Sequence, residues 1–172
     1  MSLSQDLDTV IRNVPDFPKP GIQFKDITPL FAHPNLIERV IEDFVNQYKD
    51  GVDVIVGVES RGFLFGVPLA LKLGIPFVLA RKAGKLPADK ISHTYDLEYG
   101  TATLEMHSDS IQAGQRVVII DDLLATGGTA RATASLVQEL GGTVASFAFV
   151  IALDFLKGAE TLPAPSYSIL HY

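Results

Sequence analysis

Two adjacent acids, Asp121 and Asp122, stand directly after the apolar run Val117-Val118-Ile119-Ile120 and before Leu123-Leu124-Ala125-Thr126-Gly127-Gly128-Thr129. The apolar run reads as a buried strand and the Thr/Gly stretch as a tight turn. A helix then runs from about Thr129 to Leu140 and stops at Gly141-Gly142. A helix N-terminus offers unpaired N–H groups and a partial positive charge, so such a turn can hold an anion without any lysine. Gly127 and Gly128 admit close backbone approach, and Thr126 and Thr129 add hydroxyl donors. Carboxylates repel a phosphate but accept hydrogen bonds from sugar hydroxyls. Acids beside a phosphate cradle therefore describe a site for a ribose phosphate. A plain helix cap and a plain turn each account for one half of the pattern, but neither accounts for the order and spacing of the whole. No Gly-Lys-Ser/Thr follows and there is no dinucleotide fingerprint.

A second pattern of the same kind is Glu59-Ser60-Arg61-Gly62, which follows the run Val54–Val58 and opens a helix. The backbone N–H groups of Ser60, Arg61 and Gly62 are the expected donors there; a surface arginine beside a helix cap is the alternative. Arg81, Lys82 and Lys85 place three cations within five residues of a chain that is acidic overall. They read either as a solvated basic loop or as a clamp on a leaving anion, with Lys82 the expected direct contact.

The elements that must position these groups alternate. Apolar runs at Val54–Val58, Phe77–Ala80, Val117–Ile120 and Val144–Ile151 lack polar alternation, as strands covered on both faces do. Leu36, Ile37, Val40, Ile41, Phe44, Val45 and Tyr48 follow helical spacing, with Pro34 suited to the first turn. Another helix is expected from about Gly62 to Leu73, kinked or delayed by Pro68. Strand–helix alternation predicts an α/β fold with a mainly parallel twisted sheet flanked by helices. Residues 12–34, with prolines at 15, 18, 20, 29 and 34, read as an ordered irregular segment. Residues 81–107 read as an excursion ending in a hairpin, Ser92–Glu98 and Thr101–His107 around Tyr99-Gly100; long insertions in compact domains often serve as lids.

Composition narrows the function. The 172 residues suit one domain, 1–172, since a domain usually holds roughly 100–200 residues. There is no cysteine, which excludes a disulfide framework, a thiolate metal site and a cysteine nucleophile. The net charge of −6 disfavours general nucleic-acid binding, whose affinity comes from neutralised phosphates. No apolar run approaches the ~20 residues of a membrane-spanning helix, and the start lacks a signal-peptide pattern, so a cytoplasmic protein with no membrane or nucleic-acid partner is expected. Histidines 33, 93, 107 and 171 are scattered without metal-ligand spacing and are expected to be structural or surface residues.

The Val117–Thr129 stretch resembles the phosphoribosyl pyrophosphate motif of type I phosphoribosyltransferases. Further segments resemble the adenine phosphoribosyltransferase branch: Pro15 to Pro29, Glu59-Ser60-Arg61-Gly62-Phe63, Arg81 to Pro87, Leu97-Glu98-Tyr99-Gly100 and Leu156-Lys157-Gly158. The resemblance implies the type I fold, with a small N-terminal base-binding hood within about 12–34 and a flexible hairpin lid at about 81–107. It implies that Asp121, Asp122, Ala125, Thr126, Gly127, Gly128 and Thr129 bind phosphoribosyl pyrophosphate, and that Ser60, Arg61, Gly62, Arg81, Lys82 and Lys85 bind its pyrophosphate. It assigns Phe24 to stacking on adenine, the main chain near Gln23 and Lys25 to the purine edge, and Leu153, in the expected last strand, to the other face of the base. The family commonly has Arg where this chain has Lys25, so the planar fork is absent here. It places a catalytic acid at Glu98, with Tyr99 covering the site from the lid. It also implies a homodimer.

The implied reaction joins adenine to phosphoribosyl pyrophosphate, giving AMP and pyrophosphate through a cation-like transition state. Mg²⁺ is expected as cofactor, carried mainly by substrate oxygens and water with no direct protein ligand named. The readings that compete are a phosphoribosyltransferase for another purine base and a regulator that senses phosphoribosyl pyrophosphate.

Overall fold

The computed structural model describes residues 2–97 and 100–172. After the helix α1 (Leu3–Val10), two short strands, β1 (Arg12–Pro15) and β2 (Gln23–Asp26), pair antiparallel as a separate two-stranded sheet. The expectation of an irregular segment over 12–34 is corrected on this point. Pro15 occupies the end of β1, where a missing N–H costs no ladder bond, and the prolines at 18 and 20 fall in the connection. The Phe17-Pro18 peptide is cis. A 3₁₀ turn, Thr28–Ala32, leads to α2 (Pro34–Tyr48), with Pro34 in its first turn and Val40, Ile41, Phe44 and Tyr48 buried.

The main sheet comprises β3 (Val54–Val58), β4 (Phe77–Lys82), β5 (Lys90–Asp96), β6 (Thr101–His107), β7 (Arg116–Leu124), β8 (Thr143–Ala152) and β9 (Ser166–His171). Its spatial order is β5-β6-β4-β3-β7-β8-β9. Strands β4, β3, β7, β8 and β9 run parallel, and the β5–β6 hairpin extends the sheet antiparallel to β4. Helices α3 (Arg61–Leu73) and α4 (Gly128–Glu139) follow β3 and β7. Alternate residues of the central strands feed two cores. Val54, Val56, Val117 and Ile119 pack with Ala132, Leu136 and Val137 of α4. Ile55, Val118 and Ile120 pack with Phe44 of α2 and with Phe65 and Leu69 of α3. Each such fully buried apolar side chain contributes roughly 1.5–3 kcal/mol, which is why these strands read as unbroken apolar runs.

Four further expectations are corrected. Helix α3 starts at Arg61 and runs through Pro68 without a delayed start. Strand β7 extends past Ile120 through both acids to Leu124, because its partner β8 continues the ladder to Ala152. The last strand is β9, so Leu153 lies just beyond β8 instead of in a final strand. The hairpin strand β5 starts at Lys90 and ends at Asp96.

Candidate functional site

The chain returns to opposite sides of β3: α3 leads to β4 on one side, and the excursion through the hairpin ends at β7 on the other. In open parallel sheets, ligands bind at the carboxyl ends of strands where the connections diverge in this way. Glu59–Gly62 follows β3, and Asp121 to Thr129 closes β7 and opens α4.

The turn after β7 builds the first part of the site. Gly127 has φ +83 and caps α4 with no side-chain hydrogen bond, so the first amides of the helix stay directed at whatever fills the turn. The left-handed conformation suits glycine. The turn is braced from outside by Arg131, whose guanidinium donates to Thr126 O at 3.2 Å and to Thr161 Oγ1. Asp121, Ala125, Thr126, Gly127, Gly128 and Thr129 line one cavity of about 100 Å³.

The second part lies next to it. A cavity of about 370 Å³ is lined by Glu59, Lys82, Ala83, Tyr95, Leu104, Asp121 and Thr129, among others. Asp121 and Thr129 belong to both cavities. Lys82 therefore faces the cavity that the acid shares with the cradle. Arg81 does something else: it grips Glu59 through two contacts of 3.3 Å and donates to Lys85 O at 3.3 Å. The Lys82 N–H also donates to Glu59 Oε2 at 2.8 Å. Glu59, which sequence reasoning passed over, thus ties the end of β3 to the cationic loop. Burial opposes its ionisation, but the Lys82 N–H and the Arg81 guanidinium outweigh burial and hold the carboxyl below its usual range.

The two acids part company because adjacent strand residues point to opposite faces. Asp121 faces the cavities. Asp122 is 5% exposed and accepts from Arg61 Nε at 2.5 Å. Burial pushes the Asp121 carboxyl well above the usual carboxylate range, and nearby Asp122 adds to it. The Asp122 N–H and the Arg61 guanidinium pull partly the other way. A cation or a pair of hydroxyls arriving beside Asp121 would favour its charged form.

Gly62 explains how the loops after β3 and β7 come so close. A Cβ there would meet Ile120 O at 2.5 Å and Asp121 Oδ1 at 3.4 Å. Only a glycine lets the start of α3 sit on the end of β7. Ser60 caps α3 without a side-chain hydrogen bond, so the amides of Arg61 and Gly62 remain available. The Glu59-Ser60 peptide is cis.

The hood brings Phe24, half-buried, edge-on to the exposed Phe17 at 5.1 Å between ring centroids. Lys25 does not extend toward the cradle; its Nζ lies over the Tyr172 ring, 3.3 Å from the centroid. Asp26 accepts from the Thr28 N–H and hydroxyl, which hold its carboxyl low. Leu153 bonds through its N–H to Leu124 O at 2.9 Å, next to the cradle turn, and lines a cavity of about 160 Å³ with Leu124, Asp154 and Lys157. Glu98 and Tyr99 lie outside the described residues. Tyr95 is another residue that sequence reasoning missed. Its hydroxyl lies 3.0 Å from Thr129 Oγ1, joining the hairpin to the cradle. The signal that could have found it is alternation on β5, where Ile91, His93 and Tyr95 share the less exposed face.

The family described as phosphoribosyl transferase domain matches residues 26–168. The chain is 52% identical over 163 residues to an adenine phosphoribosyltransferase of Ureaplasma parvum, covering 94% of each chain. It is 53% identical to one of Alkaliphilus metalliredigens, covering 96% of this chain and 99% of the relative. The crystal structure of adenine phosphoribosyltransferase from Thermoanaerobacter pseudethanolicus superposes with a TM-score of 0.94 at 48% identity, covering 99% of this chain and 100% of that one. The Saccharomyces cerevisiae enzyme, complexed with D-DIAB and adenine, gives 0.92 at 43% identity, covering 97% and 98%.

Proposed function

The chain belongs to the adenine phosphoribosyltransferases, and from that premise we propose how its residues carry out the reaction. It is a purine-salvage pentosyltransferase that moves the 5-phosphoribosyl group of phosphoribosyl pyrophosphate to adenine, releasing pyrophosphate and forming AMP. The observation that carries the residue assignment is the pair of joined cavities, with Asp121 and Thr129 in both, the glycine cradle in one and Lys82 in the other.

On this reading the 5-phosphate occupies the Ala125–Thr129 turn, held by the amides of α4 and the hydroxyls of Thr126 and Thr129. Asp121 accepts from the ribose hydroxyls. Asp122 acts through Arg61, fixing the start of α3 so that the amides of Ser60, Arg61 and Gly62 meet the pyrophosphate. Lys82 neutralises the leaving group directly, while Arg81 and Lys85 shape the loop that presents it. Phe24 and Leu153 enclose adenine, with the main chain of Gln23 and Lys25 at its edge. Glu98 handles the purine proton, and Tyr99 covers the site when the 81–107 segment closes and excludes water from the cationic centre. The chain acts as one catalytic unit over 1–172, with the hood within 12–34.

Mg²⁺ fits the oxygen donors that face the second cavity. Asp121, with Thr129 beside it, offers hard ligands to a cation that keeps most of its coordination from water and phosphate. Bound there, it would supply charge neutralisation for the pyrophosphate. We assign the enzyme to the cytoplasm, because its substrate and product are charged phosphates that do not cross a bilayer unaided. We assign it a homodimeric state, supported by the apolar stripe Leu64, Val67 and Leu71 on α3, which are 49%, 41% and 77% exposed.

The test supplies phosphoribosyl pyrophosphate, Mg²⁺ and each purine base in turn and follows nucleotide and pyrophosphate. AMP from adenine, with little product from hypoxanthine, guanine or xanthine, is expected. Glu98→Gln is expected to lower kcat by about 10²-fold or more. Product from a 6-oxopurine instead would overturn the base site. Phosphoribosyl pyrophosphate binding without product from any base would make the protein a sensor.

A further inference from the structure

A two-stranded sheet is marginal on its own, so the hood that carries Phe24 must be held by something outside β1 and β2. Tyr172, which follows β9, does this from behind. Its half-buried ring receives Lys25 Nζ at 3.3 Å from the centroid. Neighbouring strand residues point to opposite faces, so fixing Lys25 on that ring also fixes the face from which Phe24 projects. The Tyr172 main chain grips the other side of the base site. Its N–H donates to Ala152 O at 3.0 Å, and its carbonyl accepts from the Asp154 N–H at 2.8 Å. These two residues flank Leu153. The Tyr172 hydroxyl donates to Asp8 Oδ1 at 2.6 Å and anchors the whole to α1.

We propose that Tyr172 is a positioning residue for the purine: it sets the spacing between Phe24 and Leu153 by holding the hood and the Leu153 turn in one grip, without touching the base. The inference rests on the reading that Phe24 and Leu153 enclose adenine. It also gives Lys25 a task that the purine edge does not require, since a cation over an aromatic face is a hold, not a hydrogen bond to a ligand.

Kinetics of Tyr172→Leu test it. Losing the cation–ring contact is expected to raise the adenine KM by about two- to thirtyfold. The phosphoribosyl pyrophosphate KM, and kcat at saturating adenine, stay unchanged. Tyr172→Phe keeps the ring and loses only the bond to Asp8, so it falls much closer to wild type. An unchanged adenine KM in Tyr172→Leu, or equal rises in both KM values, overturns the proposal. Should Tyr172→Leu not fold, Lys25→Met carries the test, because it removes the cation and leaves Tyr172 with its main-chain bonds to Ala152 and Asp154. Its adenine KM should rise more than its phosphoribosyl pyrophosphate KM; an unchanged adenine KM overturns the proposal. A wild-type enzyme that makes no AMP would instead sink the underlying reading, so the two failures are distinguishable.

Discussion

At the scale of single residues, the site is governed by how neighbours divide their work. Asp121 and Asp122 share a motif but not a direction: one faces the cavities and the other holds Arg61. Arg81 and Lys82 divide in the same way, Arg81 to Glu59 and Lys82 to the cavity. Glu59 gives a pH signature. Its carboxyl ionises more readily in the folded chain than in the unfolded one, so its stabilising contribution is present above the unfolded value of about 4.5. That contribution is lost as pH falls through this value toward the lower folded one. Denaturant midpoints measured from neutral to acid pH should therefore decline more steeply in wild type than in Glu59→Gln. Parallel declines would mean that the Glu59 contacts with Lys82 and Arg81 add nothing to stability.

At the scale of elements, the β5–β6 hairpin does more than overhang the site. Strand β6 pairs with β4 at Arg81 and Lys82, and β5 reaches α4 through the Tyr95 hydroxyl on Thr129. A hydroxyl can accept and donate at once, so Thr129 can keep Tyr95 while donating to a phosphate. Tyr95→Phe removes one neutral hydrogen bond, worth about 0.5–1.5 kcal/mol. The phosphoribosyl pyrophosphate KM should rise by a comparable factor, and proteolysis within the hairpin should quicken. An unchanged KM with unchanged proteolysis would show that the hairpin is held elsewhere.

At the scale of the whole molecule, both faces of the sheet are covered, by α4 on one side and by α1, α2 and α3 on the other. Helix α3 nevertheless leaves Leu64, Val67 and Leu71 exposed on one stripe. Contiguous exposed apolar patches usually mark an interface. Sedimentation of wild type should give a dimer, and Leu71→Lys should shift it toward monomer at the same concentration by placing a charge in the seam. A wild-type monomer at micromolar concentration would leave that stripe without the role assigned to it.

The sequence by itself determined the parallel core and the two turns that close β3 and β7 and open α3 and α4. Strand β3 matches its apolar run residue for residue, because burial on both faces removes polar alternation. The turn 125–129 was legible because a helix N-terminus, two glycines and two threonines are local features. Resemblance assigned Phe24 and Leu153 to the base but put Leu153 in a final strand, whereas it lies just beyond β8. The sequence did not show that Arg12–Pro15 and Gln23–Asp26 pair as two strands, that β9 exists, or that Asp122 turns to Arg61 and Lys25 to Tyr172. The last two depend on partners 61 and 147 positions away in the chain, which no local pattern encodes. Only the tertiary structure brings β3 and β7 side by side, and with them the two loops that Gly62 allows to meet.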